Sequence, residues 1–310
     1  LTARNIAVPE NPYSMRITVQ GGVGTAEEHQ FLIDHYGVDA VGWGSPFLLV
    51  PEATNVDDDT RKLLATATME DYYTSNISPL GVPFNTVRGT SSERQKLQRI
   101  EAGRPGSPCI KKYLVSNTEF TEQPICTASR QYQNLKLKEL EQKGLSAEAY
   151  QREYQKIVDK DCLCEGLAAS ALINSKSTTL RRKAVLICPG PNLAYFSGSI
   201  PLDAMINHIY GRERLPLKQD RPHMFVNELR LYVSYLQKLV EQYTENPTAV
   251  QKKYITSFAS NLQTGIEYYQ QLVATAGLEN LFGSNFSGQL AEAAQQIHNS
   301  AEIEEVTQPV

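Results

Sequence analysis

Ile17-Thr-Val-Gln-Gly-Gly-Val-Gly-Thr-Ala-Glu-Glu-His-Gln-Phe-Leu-Ile-Asp-His-Tyr36 is followed, after Gly37, by Val38-Asp-Ala-Val-Gly-Trp-Gly-Ser-Pro-Phe47. The β-branched run Ile17–Val19 suits a short buried strand of a parallel sheet. Thr25 is placed to cap a helix, and Glu28 stands three residues on, the spacing of a capping box. Phe31, Leu32 and Tyr36 supply that helix with an apolar face, and Gly37 ends it. Val38–Val41 is the next strand. The pattern is strand, glycine turn, helix, strand, glycine turn: one crossover unit of an α/β sheet or barrel.

The chain has 310 residues, 41% of them hydrophobic, enough to build a core for one large domain or two ordinary ones. Its net charge of −4 gives no basic field, so nucleic acid is not an expected partner. No apolar run approaches the roughly 18 residues needed to cross a bilayer, and no signal peptide is visible. Five cysteines, an odd number, argue against a disulfide scaffold and favour a reducing, cytoplasmic setting.

Beyond Pro51 the strand–helix rhythm stops. Thr60–Glu70 reads as a helix, and 75–108 as a long Ser/Pro/Gly-rich loop with a helical piece near Glu93–Glu101. Gln131–Ile157 is helical, broken at Gly144 and capped anew by Ser146, and Cys164–Asn174 is a buried helix. Ala184–Cys188 reads as a strand running into Pro-Gly-Pro, a loop where Asn192 and Tyr195 are candidate ligand contacts. Helices follow over Pro201–Tyr210 and His223–Tyr243, and another runs to about Ala276 after Pro247. His29 and His35 read as surface or packing residues, Trp43 as filling the top of the sheet, and Asp57–Asp59 as a solvated acidic turn.

Backbone N–H groups at a helix N-terminus attract anions, and glycines allow close approach. Gly21, Gly22, Val23, Gly24 and Thr25 in the first turn, with Gly42, Gly44 and Ser45 in the second, are therefore the candidate phosphate contacts. At these residues the chain resembles the last two strands of flavin-mononucleotide (β/α)8 barrels of the nitronate monooxygenase and glutamate synthase type. There, glycine turns after strands seven and eight grip the flavin phosphate. The likeness spans only residues 17–50, and Trp43 stands where a small or basic residue is usual.

The resemblance implies an α/β fold: 1–60 as the last strand–helix units of a TIM-type barrel, 61–300 as a mostly helical, cysteine-bearing extension, and 301–310 as a flexible acidic tail. The start at Leu1 adds the expectation of an upstream segment, or a partner chain, that completes the barrel. A homo-oligomer is an allied expectation.

Cys109, Cys126, Cys162 and Cys164 fall in one loop-rich region, two of them close to prolines, and four thiolates can bind zinc or an iron–sulfur cluster. Their spacing is irregular and contains no Cys-x-x-Cys; Cys188 is a candidate replacement ligand. Cys162-Leu-Cys164 is also similar to the Cys-x-Cys of zinc-bearing barrels of the tRNA-guanine transglycosylase type, though the later Cys and His of that motif are missing. Arg130, next to this region, is a candidate for holding a carboxylate or phosphate. The expected function is that of an FMN-dependent oxidoreductase acting on a small molecule, with a possible metal or iron–sulfur centre in the extension. The rivals are a zinc-dependent barrel transferase and a non-catalytic helical assembly subunit.

Overall fold

The computed structural model describes residues 14–177, 184–218, 221–245, 248–274, 279–283 and 285–306. The chain forms two compact units, Leu1–Trp43 with Pro222–Val310, and Gly44–Arg221. The division between them falls at 43/44 and 221/222.

In the first unit, strands Thr18–Gln20 and Ala40–Gly42 pair in parallel, with Val19 opposite Val41. Helix Ala26–Tyr36 connects them, with the Thr25 hydroxyl accepting from the Glu28 N–H at its start and left-handed Gly37 at its end. Val23, Leu32 and Val38 form a small core with Met224, the first residue of helix Met224–Glu245. That helix packs with Ala249–Val273 and Phe286–Val306 around Phe31, Val233, Leu236, Ile266, Phe286 and Leu290. The apolar spacing that predicts the C-terminal helices thus also fastens them to the crossover unit. Phe286–Val306 runs helical into the stretch expected as a tail, of which 307–310 lie outside the described residues.

The second unit is mixed. Asp57 caps helix Asp58–Thr66, Thr90 caps Ser91–Glu101, Ser129 caps Arg130–Glu141 and Ser146 caps Ala147–Val158, each through a side-chain oxygen. These caps satisfy helix-end N–H groups that the chain could not otherwise pair. Helix Leu163–Asn174 is faced with small residues. Gly166 is where it meets the 184–188 segment: a Cβ there would stand 2.7 Å from the Leu186 Cβ.

Two expectations change. Tyr72–Ser75, just ahead of the expected loop, and Phe84–Val87, within it, form an antiparallel pair, Tyr72 opposite Val87. Ala184–Cys188 joins no ladder; the Val185 N–H goes to the Ser91 hydroxyl and the Leu186 N–H to the Gly166 carbonyl. The fold is mixed α/β, and among the described residues the strands form two-stranded sheets and no closed barrel.

Candidate functional site

The first glycine turn has the expected backbone. Gly21 and Gly22 both take left-handed φ values, +105° and +72°, between the strand and its helix. Its donors, however, serve the protein itself. The Glu28 carboxylate, 2% exposed, accepts from the Gly24 N–H at 2.8 Å and from the Met224 N–H at 2.8 Å. The Thr25 hydroxyl is used in the helix cap. The capping-box residue is therefore used one position earlier than expected, on Gly24 rather than Thr25. It puts a carboxylate where an anion would meet the helix dipole.

Trp43 donates from its indole Nε1 to His29 Nδ1 at 3.0 Å, and burial holds the His29 pKa below its usual value. In the second unit the Ser45 hydroxyl accepts from the Gly190 N–H at 2.7 Å, tying down the Pro-Gly-Pro turn, while Gly44 is exposed. Asn192 is buried and accepts from the Arg221 guanidinium at 3.0 Å, and Tyr195 is buried. Asp57 is a buried cap rather than a solvated turn. Burial raises its pKa, but hydrogen bonds from Ser170 and Thr60 outweigh that and leave it below the usual carboxylate value.

The cysteines come together in the second unit. Ser107 pairs with Ser129 in an isolated parallel bridge, which sets the loop of Cys109 against the start of helix Arg130–Glu141. Gly106, at φ +84°, makes this approach possible: a Cβ there would lie 2.7 Å from the Arg130 backbone. Cys126 ends the short bridge segment Asn117↔Ile125 and is buried. Cys162 is the N-cap of helix Leu163–Asn174, and Cys164 lies in its first turn. Three distant segments therefore converge, and all five cysteines are unbonded thiols.

Cys126 is the hub of the group. Burial drives its pKa up, the Ala128 backbone pulls it back, and negative charge on Cys109, Cys162 or Cys164 would raise it again, leaving it pushed up to about 12. The Cys162 pKa is raised by burial, opposed by the Glu165 backbone and the Ser107 hydroxyl, and raised further by Cys164. Cys188 stands apart, beside the Asn85 backbone. Burial therefore favours the neutral thiol at Cys126 and Cys162, a poor nucleophile and a poor ligand; a bound metal would reverse that balance by deprotonating them. Among the described residues no three His, Cys, Asp or Glu side chains are spaced to grip a single ion.

A cavity of about 310 Å³ opens on this corner, walled by Ser107, Cys109, Lys112, Cys126, Ser129 and Arg130 among others. Cys109 and Lys112 hold left-handed backbones, φ 53° and 58°, three residues apart on that wall. Non-glycine residues adopt this conformation when surrounding structure forces it, and such strain gathers at ligand sites. The Nε of Arg130 is buried without a hydrogen-bond partner. The sequence pointed to the four cysteines and to Arg130; Ser107, Lys112 and the strained turn gave no signal beyond neighbouring Gly and Pro. Compared with known proteins, the chain matches no family model, no curated protein and no solved structure.

Proposed function

We propose that the second unit carries a thiolate-bound metal centre, an iron–sulfur cluster held by Cys109, Cys126, Cys162 and Cys164, and that the chain serves a redox reaction. The observation that carries this reading is the convergence on buried Cys126 of three other thiols, Cys109 from one loop and Cys162 and Cys164 from the start of one helix. A buried cysteine alone is ordinary, but four thiols in one corner have a common use in metal binding. Among the described residues the four thiols are not spaced to hold an ion as they stand, so they would have to draw together around a cluster or a zinc ion. When bound, such a cluster passes single electrons. The chain's own part is to bury the Cys126 thiol and to set the Ser107 hydroxyl and the Ala128 and Glu165 backbones beside Cys162 and Cys126. Contacts of this kind to sulfur tune a cluster's potential.

The flavin reading has narrower support. The parallel strand pair with its left-handed Gly21–Gly22 turn fits the end of a phosphate-binding barrel, and an upstream segment or partner chain would have to supply the rest. The commitment of Gly24 and Thr25 to Glu28 counts against a phosphate on those two residues. Purification without air, followed by iron, sulfide and zinc analysis and a visible spectrum, tests both readings. Iron with acid-labile sulfide supports the cluster, and zinc alone replaces it with a structural or transferase site. Bound flavin, seen near 450 nm, would restore the first turn as its phosphate site.

A further inference from the structure

We propose that the cavity beside Cys109 and Cys126 is a binding site for a small oxyanion, a carboxylate or phosphate, gripped by Arg130 and Lys112. The inference concerns the same corner of the fold but does not depend on a metal being bound there.

Charge is the first argument. Arg130 and Lys112 both line the cavity, and no Asp or Glu does. Among the described residues no carboxylate pairs with Arg130, Lys112, Arg99 or Arg104. Burial, and then the like charges of Arg104 and Arg99, hold the Arg130 pKa below its usual value. An anion in the cavity would therefore meet two cations, Arg130 and Lys112, with no carboxylate on the walls to compete for them.

Donors are the second argument. Arg130 keeps a buried Nε–H with no acceptor in the protein, and an unmet donor is unfavourable until something fills it. A guanidinium edge matches the two oxygens of a carboxylate or phosphate. Arg130 is also the first residue of helix Arg130–Glu141, whose N-terminal dipole adds to the positive potential. Thr121, Gln123 and Gln131 supply neutral polar groups on the same walls.

Shape is the third argument. About 310 Å³ suits a metabolite of a few carbon atoms rather than a nucleotide. Cys109 and Lys112, both with left-handed backbones, stand on the cavity wall.

The test is calorimetric titration of the purified full chain, at low salt, with inorganic phosphate and separately with malonate. Saturable binding of either probe is expected. Arg130→Met should weaken it about tenfold or more, Arg130→Lys should retain part of it, and Lys112→Met, on an exposed loop, should weaken it roughly three- to tenfold. Arg88→Met, whose guanidinium sits 4.7 Å over the Tyr73 ring, is the control and should bind as the parent does. Preference between the probes separates a planar carboxylate from a tetrahedral phosphate. No saturation by either probe, or equal binding by the Lys112→Met and parent proteins, overturns the proposal. Metal content measured on the same samples keeps the two readings apart. A metal-free protein that binds phosphate through Lys112 and Arg130 supports this one and removes the cluster, and a metal-bearing protein indifferent to both substitutions does the reverse.

Discussion

Gly106→Ala should damage the thiol corner far more than an otherwise similar glycine substitution nearby. Gly106 and Gly103 both hold left-handed backbones, φ +84° and +66°, in the segment after helix Ser91–Glu101. An alanine at either position meets the same kind of strain, about 1–2 kcal/mol, and gains the same unfolded-state stiffening, about 0.4–1 kcal/mol. They differ in what the new methyl touches. At Gly103 nothing lies within 4 Å, whereas at Gly106 the Cβ would stand 2.7 Å from the Arg130 N and Cα and 2.9 Å from the Ser129 carbonyl carbon. Backbone cannot rotate away as a side chain can, so the helix start or the Cys109 loop must shift, an overpacking penalty of about 1–3 kcal/mol. With an m-value of about 2 kcal/mol/M, the urea midpoints of the two variants, followed by far-UV circular dichroism, should separate by roughly 0.5–1.5 M. The Gly106 variant should also expose Cys126 to thiol reagents that the Gly103 variant still excludes. Equal midpoints and equal thiol protection would refute the claim that the Ser107↔Ser129 bridge organises the site.

Glu28→Ala strips the acceptor from the Gly24 and Met224 N–H groups and should destabilise the first unit by about 2–4 kcal/mol, with Glu28→Gln falling between. Fluorescence of Trp43, the only tryptophan, reports that unit directly, and an unchanged transition would show that the carboxylate is dispensable. Ser170→Ala should destabilise the second unit by about 2 kcal/mol at neutral pH by removing a hydrogen bond to the Asp57 carboxylate. Because the folded Asp57 pKa lies below its unfolded value, that contribution is present above the unfolded value of about 3.9 and is lost as pH falls through the folded one. The penalty should therefore shrink in acid, and a pH-independent penalty would contradict the assignment. His29, whose pKa burial lowers, resists protonation when folded, so stability should fall as pH drops through about 6.5. An NMR titration placing His29 at or above that value would reject the buried contact with Trp43.

The crossover unit was legible in the sequence because its signals are local. A β-branched run, a Thr cap three residues before Glu28 and a closing Gly37 each act within one turn of chain. The Ser146 cap after Gly144 was legible for the same reason. The hairpin of Tyr72–Ser75 with Phe84–Val87 was not, since runs of four residues are too short for alternation to stand out against Pro79, Gly81 and Pro83. The Ala184–Cys188 run has strand composition, yet its partners are a serine hydroxyl and a helix carbonyl, which composition cannot reveal. The discontinuous first unit was hidden because Met224 and Phe225 reach the crossover core across nearly two hundred residues. At the site, the types of residue were readable and their geometry was not. Four cysteines in a loop-rich region suggested a shared ligand, but only tertiary packing places Cys126 among the others and strains the turn at Cys109. Glu28 shows the opposite lesson: the motif was read, but its target, and hence the filling of the anion position, was set by Met224 far along the chain.

The proposed metal centre rests on four thiols of the second unit, Cys109, Cys126, Cys162 and Cys164. Iron, acid-labile sulfide and zinc per chain, measured on anaerobically purified protein and on its Cys126→Ser variant, test it most directly. Iron and sulfide are expected in the parent protein, and their loss when the buried Cys126 thiol is removed. A parent protein without metal, or a Cys126→Ser variant that keeps the full complement, would contradict it.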